Sequence, residues 1–470
     1  MSGDPVESSE PVEPVEPSEP ARGNGADLAE ALGRALGGDV VDLARLSGGA
    51  SRETWAFDLV PSGAPGKRRP LILQRRRSGD GPTGHPPKIE AQLLRAAAAW
   101  GVPVPGLVAE GAGDDDGVGA PWLVVERIEG ETIPRKLLRD DEFASARAQL
   151  PAQCGRAAAA LHAIPLDDLP DLDGQDQLEA FGSLVGVLVP PRPALELALR
   201  RLTATRPAAG ATRRTLVHGD LRTGNLLVGP DGLRAVLDWE LAHIGDPLED
   251  LGWFCLRSWR FGSPHRAGGF GPVDDLVSAY QSEAGVKVDP EALRWWEAFG
   301  GLKWAVICLL QAGVHLSGAS RSVELAAIGR RAYESEWDLL GLLGAHPPDD
   351  DPPPHPSGPL TDAHPGADQL VEAVREFLAG DVMDQTTGRL RFHARVAAKA
   401  LGVVERELSL GPAVAAAHDR RLDTLGFAHE SELVEAIRAG KLDDRWPEVA
   451  PLIAASTRDQ LLIANPTWLD

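Results

Sequence analysis

The chain reads as an α+β protein carrying a separate all-α domain at its C-terminal end, and three observations predict this. Residues 26–128 mix strand-like alternation with helical stretches. Residues 129–345 are mostly helical apart from one short hairpin. A Pro/Asp-rich linker over 346–366, with Pro347-Pro348-Asp349-Asp350-Asp351-Pro352-Pro353-Pro354 at its head, then sets off 367–470, where apolar residues recur with a helical period.

The elements follow in order. Residues 1–25 are rich in Pro, Glu and Ser and cannot bury enough surface to offset their ordering entropy, which predicts a disordered acidic tail. Leu28 to Leu36 has helical spacing. Trp55 to Leu59 alternates as a strand, and Pro70 to Gln74 is its expected partner across the Ser62-Gly63-Ala64-Pro65-Gly66 turn. Pro86-Pro87 starts a helix that reaches Trp100, because proline suits the first helical turn. Trp122 to Glu126 is a further strand before Gly130. Cys154 to His162, Glu291 to Val314 and Ser322 to Leu343 read as helices. In the last domain Leu370, Val374, Phe377 and Leu378, then Val396, Ala400, Val404 and Leu408, keep the helical period.

Composition narrows the function. A formal charge of -22 over 470 residues argues against a nucleic-acid surface, which needs clustered Lys and Arg. Three widely spaced cysteines predict neither a disulfide framework nor a zinc site, and so a reducing compartment. No stretch is expected to span a membrane and no basic-then-apolar leader opens the chain, which makes the cytoplasm the expected location.

The chemistry lies in His218-Gly219-Asp220-Leu221-Arg222-Thr223-Gly224-Asn225 and Val236-Leu237-Asp238-Trp239-Glu240. Phosphoryl transfer needs a carboxylate to orient the attacking hydroxyl and accept its proton, and an amide oxygen with a second carboxylate to hold Mg²⁺ against the phosphates. Leu226 to Val228, the Gly229-Pro230-Asp231-Gly232 turn and Leu233 to Leu237 predict a hairpin presenting Asn225 and Asp238 at neighbouring strand ends. Upstream, Leu46-Ser47-Gly48-Gly49-Ala50-Ser51 precedes a strand, and its small residues let backbone N–H groups approach phosphate oxygens. Glu90, near the start of a helix after a basic strand end, suits pairing with a phosphate-binding cation.

These loops resemble those of the aminoglycoside phosphotransferase and choline kinase family, a branch of the protein-kinase-like fold, over roughly residues 40 to 345. The phrases Leu46 to Ser51, Leu161-His162-Ala163-Ile164-Pro165 and Asp238 to Pro247 resemble more narrowly the phosphotransferase domain fused to some acyl-CoA dehydrogenases. The resemblance implies a two-lobed kinase-like fold with an N-lobe over 26–128 and a C-lobe over 129–345, ATP and Mg²⁺ as cofactors, and a small-molecule hydroxyl acceptor such as a hydroxyacyl-CoA.

It further implies Asp220 as the base, Arg222 near the transferred phosphate, and Asn225 and Asp238 as Mg²⁺ ligands. Gly48, Gly49 and Ser51 would cover the phosphates, Glu90 would pair with their cation, and Glu126 and Ile128 would offer backbone groups to adenine behind a Val125 gatekeeper. His218 is read as orienting the loop, and Asp246 and Asp250 as bracing it or capping a helix. Trp253, Trp259, Trp304 and Trp337 are candidates for an apolar acceptor pocket, and Arg257, Arg260 and Arg266 for CoA phosphates.

One departure stands out. The basic strand Leu71-Ile72-Leu73-Gln74-Arg75-Arg76-Arg77 puts Gln74 where the family's cation is expected. Arg76, on the same face by strand alternation, or failing that Arg75, is expected to take its place beside Glu90. A chain lacking that cation would be a nucleotide-binding regulatory pseudokinase or a scaffold, which is the alternative reading. The C-terminal part resembles an uncharacterised small helical family, for which docking to a protein partner or self-association is the expectation.

Overall fold

The structure, a computed structural model, describes residues 24–46, 52–64, 66–76, 84–113, 116–188, 190–207, 214–356 and 365–470. The N-terminal acidic tail and the small-residue loop at 47–51 lie outside them. Packing groups the described residues into two compact units, 24–174 with 214–289 and 175–207 with 290–470.

In chain order the elements are α1 (Asn24–Leu36), β1 (Gly38–Leu46), β2 (Arg52–Pro61), β3 (Arg69–Arg76), α2 (Pro87–Ala99), β4 (Leu107–Gly111), β5 (Trp122–Glu126), α3 (Pro134–Arg139) and α4 (Ala144–Ala163). Then come α5 (Gln177–Val187), α6 (Pro193–Ala204), β6 (Thr215–Val217), β7 (Leu226–Gly229), β8 (Gly232–Val236), β9 (His243–Gly245), α7 (Leu248–Phe254), α8 (Val273–Ala284) and α9 (Pro290–Leu316). The chain ends with α10 (Val323–Ile328), α11 (Ala332–Leu342), α12 (Ala367–Phe377), α13 (Met383–Gln385), α14 (Gly388–Leu425), α15 (Glu430–Arg438) and α16 (Trp446–Ala464).

The first unit opens with an antiparallel sheet in the order β1-β2-β3-β5-β4. Alternation divides its strands cleanly. Trp55, Phe57, Leu71, Leu73, Trp122 and Val124 face α1 and form a core with Leu28, Ala31 and Leu32. Complete burial of side chains such as Phe57, Leu71 and Leu73 stabilises this layer by about 1.5–3 kcal/mol each. The opposite face carries Arg52, Thr54 and Ala56, paired across the ladder with Arg76, Gln74 and Ile72. Helix α2 starts with Pro87 in its first turn and buries Glu90, Ala91, Leu93, Leu94 and Ala97. Two strands have no clear signal in the sequence. In β1 the alternation is interrupted by an irregularity between Val41 and Ala44, with Asp42 at φ 54°. β4 is only five residues long.

The segment carrying Asp220, Asn225 and Asp238 follows in the same unit as two small ladders, β6 with β9 and β7 with β8.

In the second unit α6, α11, α14, α15 and α16 share one core, including Leu197, Leu340, Leu422, Ile437 and Ile453. Residues 175–207 and 290–345 therefore pack with the C-terminal helices. The stretch expected as one helix from Ser322 to Leu343 is broken into α10 and α11. In α12 the period produces a helix, but Leu370, Val374 and Phe377 are exposed rather than core. The expectation that no stretch approaches a membrane span is also corrected: α9, at 27 residues, is long and apolar enough by length and composition. Its apolar character has a local cause, because Trp295, Phe299, Leu302 and Val306 are buried within the protein. None of the three cysteines forms a disulfide, and all are buried.

Candidate active site

The hairpin sets the geometry. Leu226 pairs with Val236, and the Leu237 N–H donates to the Asn225 carbonyl at 2.8 Å, so Asn225 and Asp238 stand at adjacent strand ends. The chain then turns through Asp238 at φ 65°, a left-handed conformation that Asp tolerates better than most residues.

The loop carrying Asp220 is held from below by Asp250, fully buried on α7. Its Oδ2 accepts the His218 N–H at 2.8 Å and its Oδ1 the Gly219 N–H at 3.0 Å. His162 Nε2 also meets Oδ2 at 3.1 Å, and its Nδ1 meets the Tyr280 hydroxyl at 3.0 Å. Burial pushes the Asp250 carboxyl up, but His162 and the His218 contacts outweigh it and hold it below the ordinary carboxylate range. Asp246 does the capping, its Oδ1 accepting the Leu248 N–H at 2.9 Å. Gly219 has no substitute here: its φ is 79°, and a Cβ would lie 2.3 Å from the Leu241 carbonyl oxygen.

His218 joins the two loops. Its Nδ1 accepts the Asp220 N–H at 3.2 Å, so Nε2 carries the proton and donates to the Leu237 carbonyl at 3.1 Å. Burial pushes the imidazole's pKa down, which keeps it neutral, and the ring lies against Trp239 with centroids 4.9 Å apart. It is a brace, as the sequence suggests.

Asp220 is richly supplied with donors. Arg222 Nε lies 3.0 Å from both carboxylate oxygens, Trp253 Nε1 donates to Oδ1 at 2.9 Å, and Asn225 Nδ2 donates to Oδ2 at 2.8 Å. Each oxygen thus meets two donors, Arg222 being shared between them, so the carboxylate is held in one orientation and an acceptor hydroxyl would share an oxygen with these groups. Asn225 Nδ2 also reaches the Asp220 carbonyl at 2.9 Å, so both its N–H bonds are committed and Oδ1 is the atom free to ligate.

Asp238 is the opposite case. Among the described residues its side chain has no hydrogen-bond or ion-pair partner. It opens to solvent, yet protein crowds around it. That burial and, after it, the charges of Glu240, Asp220 and Glu90 push its carboxyl up to about 7, while Arg222 pulls the other way. One carboxylate, one amide oxygen and a local excess of negative charge fit Mg²⁺, which takes oxygen ligands and keeps several waters. Among the described residues no group of three or more His, Cys, Asp or Glu could hold a metal by itself.

The cation beside Glu90 is a correction. Glu90, 3% exposed, pairs with Arg52 Nη1, and Arg52 Nη2 donates to the His85 carbonyl at 3.1 Å. Arg76 does not reach Glu90. Arg75 lies on the other face of β3, where it donates to Glu53 at 2.7 Å and to the Val118 carbonyl at 2.9 Å. The register explains the exchange: Arg52 stands directly opposite Arg76, on the face of Gln74, and takes the carboxylate first. Burial raises the Glu90 carboxyl above its ordinary range, and Arg52 counters part of that rise.

In the strand expected to meet adenine, Val125 is buried and pairs with Ile72 on the Gln74 face. The Glu126 N–H is taken by the Gly106 carbonyl at 2.9 Å, which leaves its carbonyl as the possible contact. The Ile128 N–H has no partner among the described residues. Gly48, Gly49 and Ser51 lie outside those residues, and Arg52 opens β2 immediately after them.

Residues 42–296, more than half of the chain, match the phosphotransferase enzyme family, APH. The chain belongs to that family. Residues 384–468 match a domain of unknown function, DUF6285. Acyl-CoA dehydrogenase family member 10 of Mus musculus is 28% identical over 235 residues, covering 46% of this chain and 20% of that protein. Acyl-CoA dehydrogenase family member 11 of Homo sapiens is 26% identical over 259 residues, covering 50% of this chain and 32% of that protein. The phosphotransferase chain thus spans a third or less of these relatives. A crystal structure from Ralstonia eutropha JMP134, of a protein provisionally assigned as an aminoglycoside phosphotransferase, is 22% identical with a TM-score of 0.53. It covers 68% of this chain and 98% of its own, and shows the fold: a kinase-like sheet lobe followed by a helical lobe.

Two residues of this phosphotransferase escape a reading of its sequence. Arg52 sits beside the small-residue loop, but only the β2–β3 register reveals that it faces Glu90. Trp253 is expected in an acceptor pocket, whereas its indole N–H donates to Asp220, with Trp259 5.3 Å away and Arg222 over the Trp259 ring. Trp304 and Trp337 belong to the other unit.

Proposed function

We propose that this phosphotransferase uses ATP and Mg²⁺ to phosphorylate a hydroxyl of a small molecule, with hydroxyacyl-CoA thioesters as its acceptor class. One observation carries the reading: a donor-rich carboxylate, Asp220, and an unpartnered one, Asp238, are brought to the same place by one hairpin.

In this mechanism the acceptor hydroxyl donates to Asp220, which takes its proton as the hydroxyl oxygen bonds to the γ-phosphorus and ADP leaves. Asn225 Oδ1 and Asp238 would hold Mg²⁺, which neutralises charge on the phosphates. Arg222, within reach of Asp220, is placed to meet the transferred group. Ile128 N–H and the Glu126 carbonyl would receive the base.

The acceptor class draws support from the relatives, which are named as acyl-CoA dehydrogenase family members, and from Arg257, Arg260 and Arg266 just past α7. All three already make contacts within the protein, Arg260 donating to the Cys255 carbonyl at 2.6 Å, so a phosphate would compete with these contacts. The test is ADP release with Mg²⁺ and ATP across hydroxyacyl-CoAs, amino sugars and amino alcohols, with Asp220→Asn as the blank. Acceptor-dependent release with hydroxyacyl-CoAs is expected. Release with amino sugars alone overturns the acceptor class, and release with no acceptor at all in any class overturns the kinase reading.

A further inference from the structure

We infer that Arg52, on β2, is the nucleotide-phosphate-binding cation of this chain, standing in for the strand-β3 cation that Gln74 cannot supply. The inference rests on the kinase reading and names a residue for the phosphate subsite.

Three observations carry it. First, Arg52 is aimed: Glu90 on α2 and the His85 carbonyl fix two of its N–H groups, and its side chain is 11% exposed. A guanidinium has five N–H donors, so the other three, which have no partner among the described residues, are pre-oriented for an anion.

Second, the surroundings ask for an anion. Arg52 and Arg76 are directly opposite on neighbouring antiparallel strands, where like charges repel. Glu90 answers only Arg52, and Arg76 has no side-chain partner among the described residues. The two guanidiniums have one hydrogen-bonded carboxylate between them, Glu90, on which Glu240 acts by charge alone, and a phosphate group would offset the positive charge left on the strand side.

Third, the position is right. Arg52 is the first residue of β2 after the small-residue loop, and the same His85 ties it to the metal loop. The His85 N–H donates to the Glu240 carbonyl at 3.0 Å, and its Nε2 donates to the Ala242 carbonyl. The cation, its carboxylate and the chain just beyond Asp238 are thus connected through one residue.

The test is direct binding of ATP, ADP and adenosine in the presence of Mg²⁺, by calorimetry, to the full chain. Removing Arg52 alone leaves Glu90 buried without a partner and risks the fold. The neutral pair Arg52→Gln/Glu90→Gln avoids this, because replacing both members of a buried pair is tolerated better than replacing one. That variant is expected to bind ATP and ADP about 10- to 100-fold more weakly while binding adenosine as the wild type does. Arg52→Lys should stay within a few-fold of wild type for ATP, and Arg76→Ala should lose less than the double variant. Unchanged ATP affinity in the double variant, or a larger loss in Arg76→Ala, overturns the assignment of Arg52 but leaves the kinase reading standing. A wild-type protein that binds no ATP overturns both.

Discussion

The catalytic loop and the metal loop present an aspartate each to the same space, and the protein treats the two carboxylates in opposite ways. Asp220 receives N–H groups from Arg222, Trp253 and Asn225 and is held in one orientation. Asp238 receives none among the described residues and sits in the negative field of Glu240, Asp220 and Glu90. A carboxylate surrounded by donors is set up to act from a fixed place. A carboxylate surrounded by other carboxylates is set up to receive a cation. The contrast fits the proposed roles of Asp220 as base and Asp238 as metal ligand.

The largest effect should come from the donor-rich side. Asp220→Asn keeps an acceptor oxygen for its neighbours but loses the base, so turnover should fall by about 10²–10⁴-fold with ATP affinity nearly unchanged. Near-normal turnover in single-turnover assays would remove Asp220 from the mechanism.

The next test separates the two aspartates by stability. Asp238→Asn relieves the carboxylate crowding, so the metal-free protein should melt roughly 1–3 °C higher, while Mg²⁺-dependent tightening of ATP binding is lost. Asp220→Asn should shift melting the other way, since it gives up the ion pair with Arg222. If both variants move in the same direction, the contrast between the loops is wrong.

A subtler change probes how the base is held. Trp253→Phe keeps the ring and removes only the N–H on Asp220 Oδ1, and kcat should drop by about tenfold with KM little changed. A loss confined to KM would make Trp253 an acceptor contact instead.

The smallest effect is in pH dependence beneath the loop. Folded His218 binds its proton more weakly than the unfolded chain does, so stability should decline as pH falls below the ordinary histidine value of 6.5. Asp250, held below its ordinary value of 3.8, adds a loss of the same sign further down, as pH falls through the carboxylate range. Melting temperatures from pH 8 down to about pH 2.5 should show both, and His218→Gln should flatten the upper part of the curve. An unchanged curve in that variant would rule out His218 as the source.

Much of this was legible in the chain. Residues Asn225 and Asp238 flank a hairpin whose turn residues are local in sequence, so their meeting at adjacent strand ends follows from short-range rules. The helices carrying Glu90, His162 and Phe299 announce themselves by period and by proline. Strand β1 did not, because its alternation is interrupted, and β4 did not, because Leu107 to Gly111 is half-buried throughout and shows no alternation.

The sequence by itself determined which residues could do chemistry: the Asp220, Asn225 and Asp238 set, the helix bearing Glu90, and the absence of a cation at Gln74. Tertiary structure decided who partners whom. Arg52, not Arg76, meets Glu90 because antiparallel register puts residues of two strands on one face, and register is a relation between segments that neither encodes alone. Trp253 reaches Asp220 because α7 folds back beneath the loop through Asp250, whose two oxygens collect N–H groups some thirty residues earlier in the chain. Such contacts depend on burial and on long-range approach, and a linear pattern carries no information about either.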